Sequence, residues 1–210
     1  MDWTDVQPAS SKVLPKEPEG DSDAIILYAS VGHALSKWEA LQFSLSFLFA
    51  ACSGAAFAYP VMRAFGQSML VTAKLDMIQY AAEASLSNAN VKGILTRVTD
   101  LVKAVRGYND RRNDIAHGVV QIFTTSSHYL IPTAGTSRKY PVYAGTQMPA
   151  PDYCWTAAQI NRYAKAFEGL NSECGIVTEV VRGVVERVAL ALFQQRMLDA
   201  SSGKPSSTEG

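Results

Sequence analysis

The residues best suited to chemistry lie between positions 108 and 118, in the run Tyr-Asn-Asp-Arg-Arg-Asn-Asp-Ile-Ala-His-Gly. Arg112 is a permanent cation, Asn113 carries an amide, and His117 has a side chain that titrates near neutral pH. On a helix Asn113 and His117 share one face, because they are four residues apart, and the flexible stem of Arg112 can place its guanidinium beside them. The three groups can therefore neutralise charge and transfer a proton within one small volume.

This run resembles a known signature. The sequence Arg-Asn-x-x-x-His at residues 112–117 is similar to the Arg-polar-x-x-x-His motif of HEPN domains (higher eukaryote and prokaryote nucleotide-binding), which are small helical bundles. The resemblance is specific over residues 109–118, and elsewhere it covers about residues 23–199 through the order of helices alone. It implies a homodimer that acts as a metal-independent endoribonuclease of the defence or toxin kind, without a cofactor.

The resemblance also implies a role for each residue of the motif. His117 would act as general base on an RNA 2′-hydroxyl, and Arg112 would neutralise the charge that builds on the phosphoryl oxygens. Asn113 would orient the histidine or donate a hydrogen bond to the phosphate. The products would be a 2′,3′-cyclic phosphate and a 5′-hydroxyl. Two copies of the motif, brought together across the dimer, would double the positive charge in the cleft.

Three further residues are expected to bind the substrate: Arg111, Arg106 and Tyr108. Arg111 is an alternative to Arg112, since either arginine could face the cleft. Tyr108 could stack on a base, with a packing role in the core as the stronger alternative. The expected partners are a second copy of the chain, RNA, and a cognate antitoxin or regulatory protein.

A non-catalytic interpretation stays open. Arg112 could pair with Asp110 or Asp114, and His117 could satisfy carbonyl groups at a helix end. The chain would then be a HEPN-like dimeric interaction or regulatory module that binds a protein or nucleotide partner. A buried His117, or an Arg112 held by either aspartate, favours this module. Two His117 side chains in one open cleft of a dimer favour the enzyme.

Charge and cysteine content narrow the class of protein. Basic and acidic residues are equal at 19 each, so the chain has no global positive field, although residues 97–114 hold five basic and three acidic side chains. The three cysteines are dispersed, and the three histidines lack metal-ligand spacing. This pattern favours a reduced, cytoplasmic protein without a disulfide framework or a metal site.

Hydrophobic periodicity predicts an all-α bundle of four or five main helices, with a small β-hairpin insertion at about residues 118–145. The helices are expected at about residues 23–53, 60–84, 88–107 and 156–199. Gly107 should loosen the third helix, so that the Arg112/His117 segment becomes a kinked continuation or a short helix of its own. A bend or break in the last helix is expected at Gly169, Gly175 or Gly183. Within the insertion, strands are expected at residues 119–123, 128–131 and 138–143.

One domain is expected over residues 21–199, between polar tails at residues 1–20 and 200–210. Residues 40–62 contain no charged side chain, a length that could span a bilayer. Polar residues, Gly54 and Pro60 interrupt this stretch, which favours a buried helical hairpin instead.

Overall fold

The structure is a computed structural model that describes residues 20–55, 57–86, 91–124, 127–131 and 154–201. Within these residues the chain forms five helices and one β-hairpin, in the order α1 (Ala24–Cys52), α2 (Ala58–Gly66), α3 (Val71–Leu86), α4 (Lys92–Ala116), β1 (Val119–Thr124), β2 (Ser127–Ile131) and α5 (Ala157–Ser201). The predicted class, mostly helical with one small hairpin, is confirmed.

The chain divides into two compact units, and α1, α4 and α5 each contribute residues to both. The first unit comprises Met1–Ser44 and Leu101–Cys174, and the second comprises Leu45–Asp100 and Gly175–Gly210. The hairpin and residues 108–118 belong to the first unit, and α2 and α3 belong to the second. The expectation of a single domain over residues 21–199 stays a prediction.

Aromatic packing fixes the helices of the first unit. Trp38 of α1 and Tyr108 of α4 each meet the ring of Phe167 on α5 edge-on, with ring centroids 5.0 Å and 5.9 Å apart. All three side chains are buried, so the hydrophobic effect and ring geometry act together here. This cluster sets the position of α4 one turn before Arg112.

The start of α5 carries the capping box that its sequence predicts. The amide of Thr156 donates to Oε1 of Gln159 at 2.9 Å, and the amide of Gln159 donates to Oγ1 of Thr156 at 3.4 Å. A second cap comes from far away in sequence, because Oδ2 of Asp21 accepts the amide of Ala157 at 2.7 Å. A carboxylate at a helix N-terminus is favoured by the helix dipole as well.

Backbone hydrogen bonds hold the hairpin against the same end of α5. β1 and β2 are antiparallel, as predicted. On its other edge β2 exchanges two hydrogen bonds between Leu130 and Trp155, at 2.8 Å and 2.9 Å, and two between His128 and Asp21, at 2.8 Å and 3.0 Å. The hairpin that follows α4 is therefore tied to the entry of both α1 and α5.

The described part of residues 40–62 contains the end of α1 and the start of α2, and within the second unit Phe49 stacks on Phe65 with ring centroids 5.1 Å apart. Two successive helices were expected here, but their expected burial holds only in part, because residues 57–60 are exposed. Among the described residues, no helix is long and apolar enough to cross a membrane. The predictions for residues 1–19, 138–143 and 202–210 lie outside the described residues.

One expectation about helix continuity is wrong, no helix breaks at Gly107 or at the glycines of α5, and a kink or bend at these residues stays a prediction. The single helix expected at residues 60–84 is two helices, α2 and α3, because α2 ends at Gly66, and Met69, expected to point inward, is 93% exposed in the connection. By contrast, α4 runs unbroken through Gly107, and α5 runs unbroken through all its glycines. Burial of a continuous apolar stripe outweighs the lower helix propensity of a single glycine.

Candidate functional site

The segment at residues 108–118 comprises the last turns of α4 and the turn that follows it. The amide of His117 still donates to the carbonyl of Asn113 at 3.0 Å, so the helical path continues to the histidine. At Gly118 the backbone passes so close to β2 that a Cβ atom would lie 2.6 Å from Cγ of Leu130. The backbone therefore fixes His117 at the junction of helix and hairpin.

Arg111 and Asp114 form a sheltered ion pair on α4. Nη1 of Arg111 donates to Oδ2 of Asp114 at 2.7 Å, and their side chains are 16% and 6% exposed. The pair also acts on the pKa of Tyr163 on α5. Burial raises this pKa, the charge of Arg111 lowers it, and the charge of Asp114 raises it. Because either charge alone would be costly to bury, the pair is a structural unit. Arg111 was expected to bind substrate or to take the place of Arg112 in the cleft, but its guanidinium is paired with Asp114.

Arg112 occupies a position on the buried face of α4. In the first unit this face consists of buried side chains at three- and four-residue steps: Leu101, Val105, Tyr108 and Ile115. Residue 112 continues the same spacing, yet it is a cation with a side chain 28% exposed. Its Nη1 donates to Oδ1 of Asn113 at 3.1 Å, and its Nε is buried without an acceptor among the described residues. Such a break in a local pattern is typical of functional positions.

The carboxylate beside Arg112 belongs to Glu39 of α1, and not to Asp110 or Asp114. Nη2 of Arg112 lies 3.7 Å from Oε1 of Glu39, which is close enough for an ion pair but too far for a hydrogen bond. Sequence reasoning missed Glu39 as a partner of the motif. The available signal was indirect, since the buried Trp38 next to it places residue 39 at the edge of the core.

His117 has an exposed side chain, and Asn113 is half-buried. Arg112 and His117 are five residues apart, so their side chains leave a regular helix about 140° apart around its axis. A single α4 therefore directs the two groups toward different sides. Asn113 directly follows Arg112, lies one helical turn before His117, and accepts a hydrogen bond from Arg112 with its side chain.

The two remaining candidates differ in accessibility. Arg106 has an exposed side chain on α4. Tyr108 is only 3% exposed, and its ring packs edge-on against Phe167. The tyrosine thus has the packing role, and its ring offers no free face on which a nucleobase could stack.

The other histidines contact polar atoms remote in sequence, and the cysteines lie in the core. Nδ1 of the exposed His33 lies 3.4 Å from Oδ1 of Asn161, and Nδ1 of His128 lies 3.1 Å from the carbonyl oxygen of Asp21. Cys52, Cys154 and Cys174 are buried and form no disulfide. In the described part of the chain, no three His, Cys, Asp or Glu side chains are grouped so that they could hold a metal ion.

Comparisons of the chain with models of protein families, with curated proteins and with solved structures each found no match. Function must therefore be inferred from the chemistry of the segment at residues 108–118 and of Glu39.

Proposed function

We propose that the chain is a HEPN-like, metal-independent endoribonuclease whose site contains Arg112, Asn113 and His117. The observation that carries the proposal is the different environment of two adjacent arginines. Arg111 is neutralised by the buried Asp114 at 2.7 Å, whereas Arg112 meets an exposed carboxylate at 3.7 Å. Of the two guanidinium groups, that of Arg112 is therefore the one that a phosphate can recruit.

The proposed reaction uses the exposed position of His117. Its imidazole accepts the proton of an RNA 2′-hydroxyl, and the 2′-oxygen attacks the adjacent phosphorus. The bond between phosphorus and the 5′-oxygen breaks, that oxygen takes a proton from water to become a 5′-hydroxyl, and His117 afterwards returns its proton to solvent. Arg112 stabilises the extra negative charge on the non-bridging oxygens, and the other product is a 2′,3′-cyclic phosphate.

A homodimer is part of the proposal. Because Arg112 and His117 leave one helix about 140° apart, a second copy is the simplest way to bring a guanidinium and an imidazole to one phosphate. Pairing two motifs would also concentrate positive charge locally in a chain whose net charge is +0. A toxin of this kind would require a cognate antitoxin or another regulatory protein, which we include as a proposed partner.

The test is cleavage of mixed structured and single-stranded RNA in EDTA. We expect cleavage with cyclic phosphate ends, lost in His117→Ala and in Arg112→Ala. Two matched controls remove the same groups elsewhere: His33→Ala removes an exposed histidine, and Arg182→Ala removes an arginine paired with Glu179 at the surface. Cleavage that survives both site substitutions, or no cleavage of any RNA by the folded native chain, would contradict the proposal.

A second candidate function is a non-catalytic HEPN-like module that binds a protein or nucleotide partner. Its support is that Arg112 already contacts Asn113 and Glu39, so the guanidinium has ligands within the chain. The same RNA assay separates the two candidates. An inert but folded dimer that retains a specific partner after His117→Ala would favour the module.

A further inference from the structure

The ion pair between Arg112 and Glu39 has a longer contact than other ion pairs of the described residues. Its closest approach is 3.7 Å, compared with 2.7 Å for Arg111 with Asp114 and 2.9 Å for Arg182 with Glu179. Those two pairs and the pair of Lys37 with Glu168 also contain a hydrogen bond, whereas Arg112 and Glu39 are too far apart for one. The Glu39 carboxylate can therefore leave the guanidinium without breaking a hydrogen bond to it.

The two members of the pair also differ in solvent exposure. The side chain of Glu39 is 66% exposed, and that of Arg112 is 28% exposed. Arg112 is anchored on the buried face of α4 and by Asn113, while Glu39 sits at the solvent edge of α1 next to the buried Trp38. Glu39 is thus the member of the pair that can move away. Rotation of its side chain into water costs little free energy because the carboxylate is already largely hydrated.

We propose that Glu39 is a regulatory anion that occupies Arg112 until a phosphate of the substrate displaces it. This inference rests on the proposed function, since it assigns the control of the same site. A single small anion gains one contact with Arg112 and must compete with a carboxylate that is permanently tethered beside it. A nucleic-acid backbone carries many phosphates, and its additional contacts favour displacement. Glu39 would therefore select polyanions over free phosphate.

The size of the effect follows from the exposure of the pair. Exposed ion pairs contribute little to stability, so removing the Glu39 charge should tighten phosphate binding at Arg112 by about two- to fivefold at low salt. The gain should shrink as salt is added, because screening weakens the competing carboxylate. If the chain cleaves RNA, KM should fall by a similar factor while kcat stays unchanged, since Glu39 is expelled before the chemical step.

The experiment measures binding of a single-stranded 2′-deoxy oligonucleotide, which cannot be cleaved through a 2′-hydroxyl. Glu39→Gln should bind the probe about two- to fivefold more tightly than the native chain. Glu168→Gln is the matched control, because it removes an equally charged, exposed carboxylate in the same unit without touching Arg112. In an Arg112→Met background, where the side-chain volume is largely kept, Glu39→Gln should give no gain.

Three results would overturn the inference: equal changes in Glu39→Gln and Glu168→Gln, a gain that persists without Arg112, or no binding by either the native chain or Glu39→Gln. Thermal unfolding of each variant guards against a misfolded double variant, and the neutral Arg112→Gln then replaces Arg112→Met. Tighter binding by Glu39→Gln without RNA cleavage would support the displacement by phosphate and remove the ribonuclease proposal. Cleavage that depends on His117, with a KM that Glu39→Gln leaves unchanged, would support the ribonuclease proposal and remove the displacement of Glu39 by phosphate.

Discussion

Arg111 and Asp114 lie one turn apart on α4, and Nη1 of the arginine is 2.7 Å from Oδ2 of the aspartate in a place that excludes most water. Asp114→Ala should lower the free energy of unfolding by about 3 kcal/mol or more, because it leaves the Arg111 charge sheltered without a partner. Urea denaturation measures this loss. Glu179→Ala is the matched control, since Glu179 pairs with Arg182 at the same spacing but is exposed, and it should cost about 1 kcal/mol or less. Similar losses in the two variants would contradict the structural role of the buried pair.

Gly107 and Gly118 should respond in opposite ways to the same substitution. A Cβ at Gly107 meets nothing within 4 Å inside a continuous helix, so Gly107→Ala should raise the free energy of unfolding by about 0.5–1 kcal/mol. A Cβ at Gly118 would lie 2.6 Å from the buried Leu130, so Gly118→Ala should lower the free energy of unfolding by about 1–3 kcal/mol. Neither glycine has a positive φ, so backbone strain of the new alanine contributes to neither effect.

Thermal and urea unfolding of both variants provide the check. A second substitution, Leu130→Ala, makes room at the hairpin and should reduce the penalty of Gly118→Ala while leaving the effect of Gly107→Ala unchanged. Destabilisation by Gly107→Ala would contradict the regular, continuous helix that the structure shows at this residue.

Local features of the fold could be predicted from the sequence, because they depend on neighbours a few residues away. The capping box of Thr156 and Gln159 and the hairpin of β1 and β2 are examples, and both are present in the structure. The choice between Arg111 and Arg112 could not be predicted. It depends on which carboxylate folding brings near each guanidinium, and Glu39 is remote from Arg112 in sequence.

The effect of glycine on helix continuity could not be predicted for a related reason. A single glycine makes helix formation less favourable by about 1 kcal/mol, and a prediction from sequence without packing partners takes such a glycine as a break. The long apolar faces of α4 and α5 offset that cost by packing, and the packing partners are on other helices. Conversely, the apolar Met69 fits a helical spacing but lies exposed between α2 and α3.

The last turns of α5 should be dispensable for folding. Every residue from Ala189 to Asp199 is exposed, including the large apolar side chains Leu190, Leu192, Phe193, Met197 and Leu198. Because these side chains bury little area in the chain, ending the protein at Val188 should change the free energy of unfolding by less than about 1 kcal/mol. Urea denaturation at two protein concentrations tests this. A large loss that grows on dilution would instead indicate that these turns pack against a second copy.

The buried thiol of Cys154 should make stability fall at high pH. Burial raises its pKa from 9.0 to about 11, so the folded chain keeps a proton that the unfolded chain releases. The stability linked to this group is fully present below pH 9 and is lost as the pH rises from 9 toward 11. Between pH 8.5 and pH 10 the free energy of unfolding should fall by about 1 kcal/mol through Cys154, and Cys154→Ala should remove that part of the slope. Urea denaturation of both proteins across this range tests the difference. Parallel pH profiles would show that the thiol ionises as readily in the folded chain as in the unfolded one.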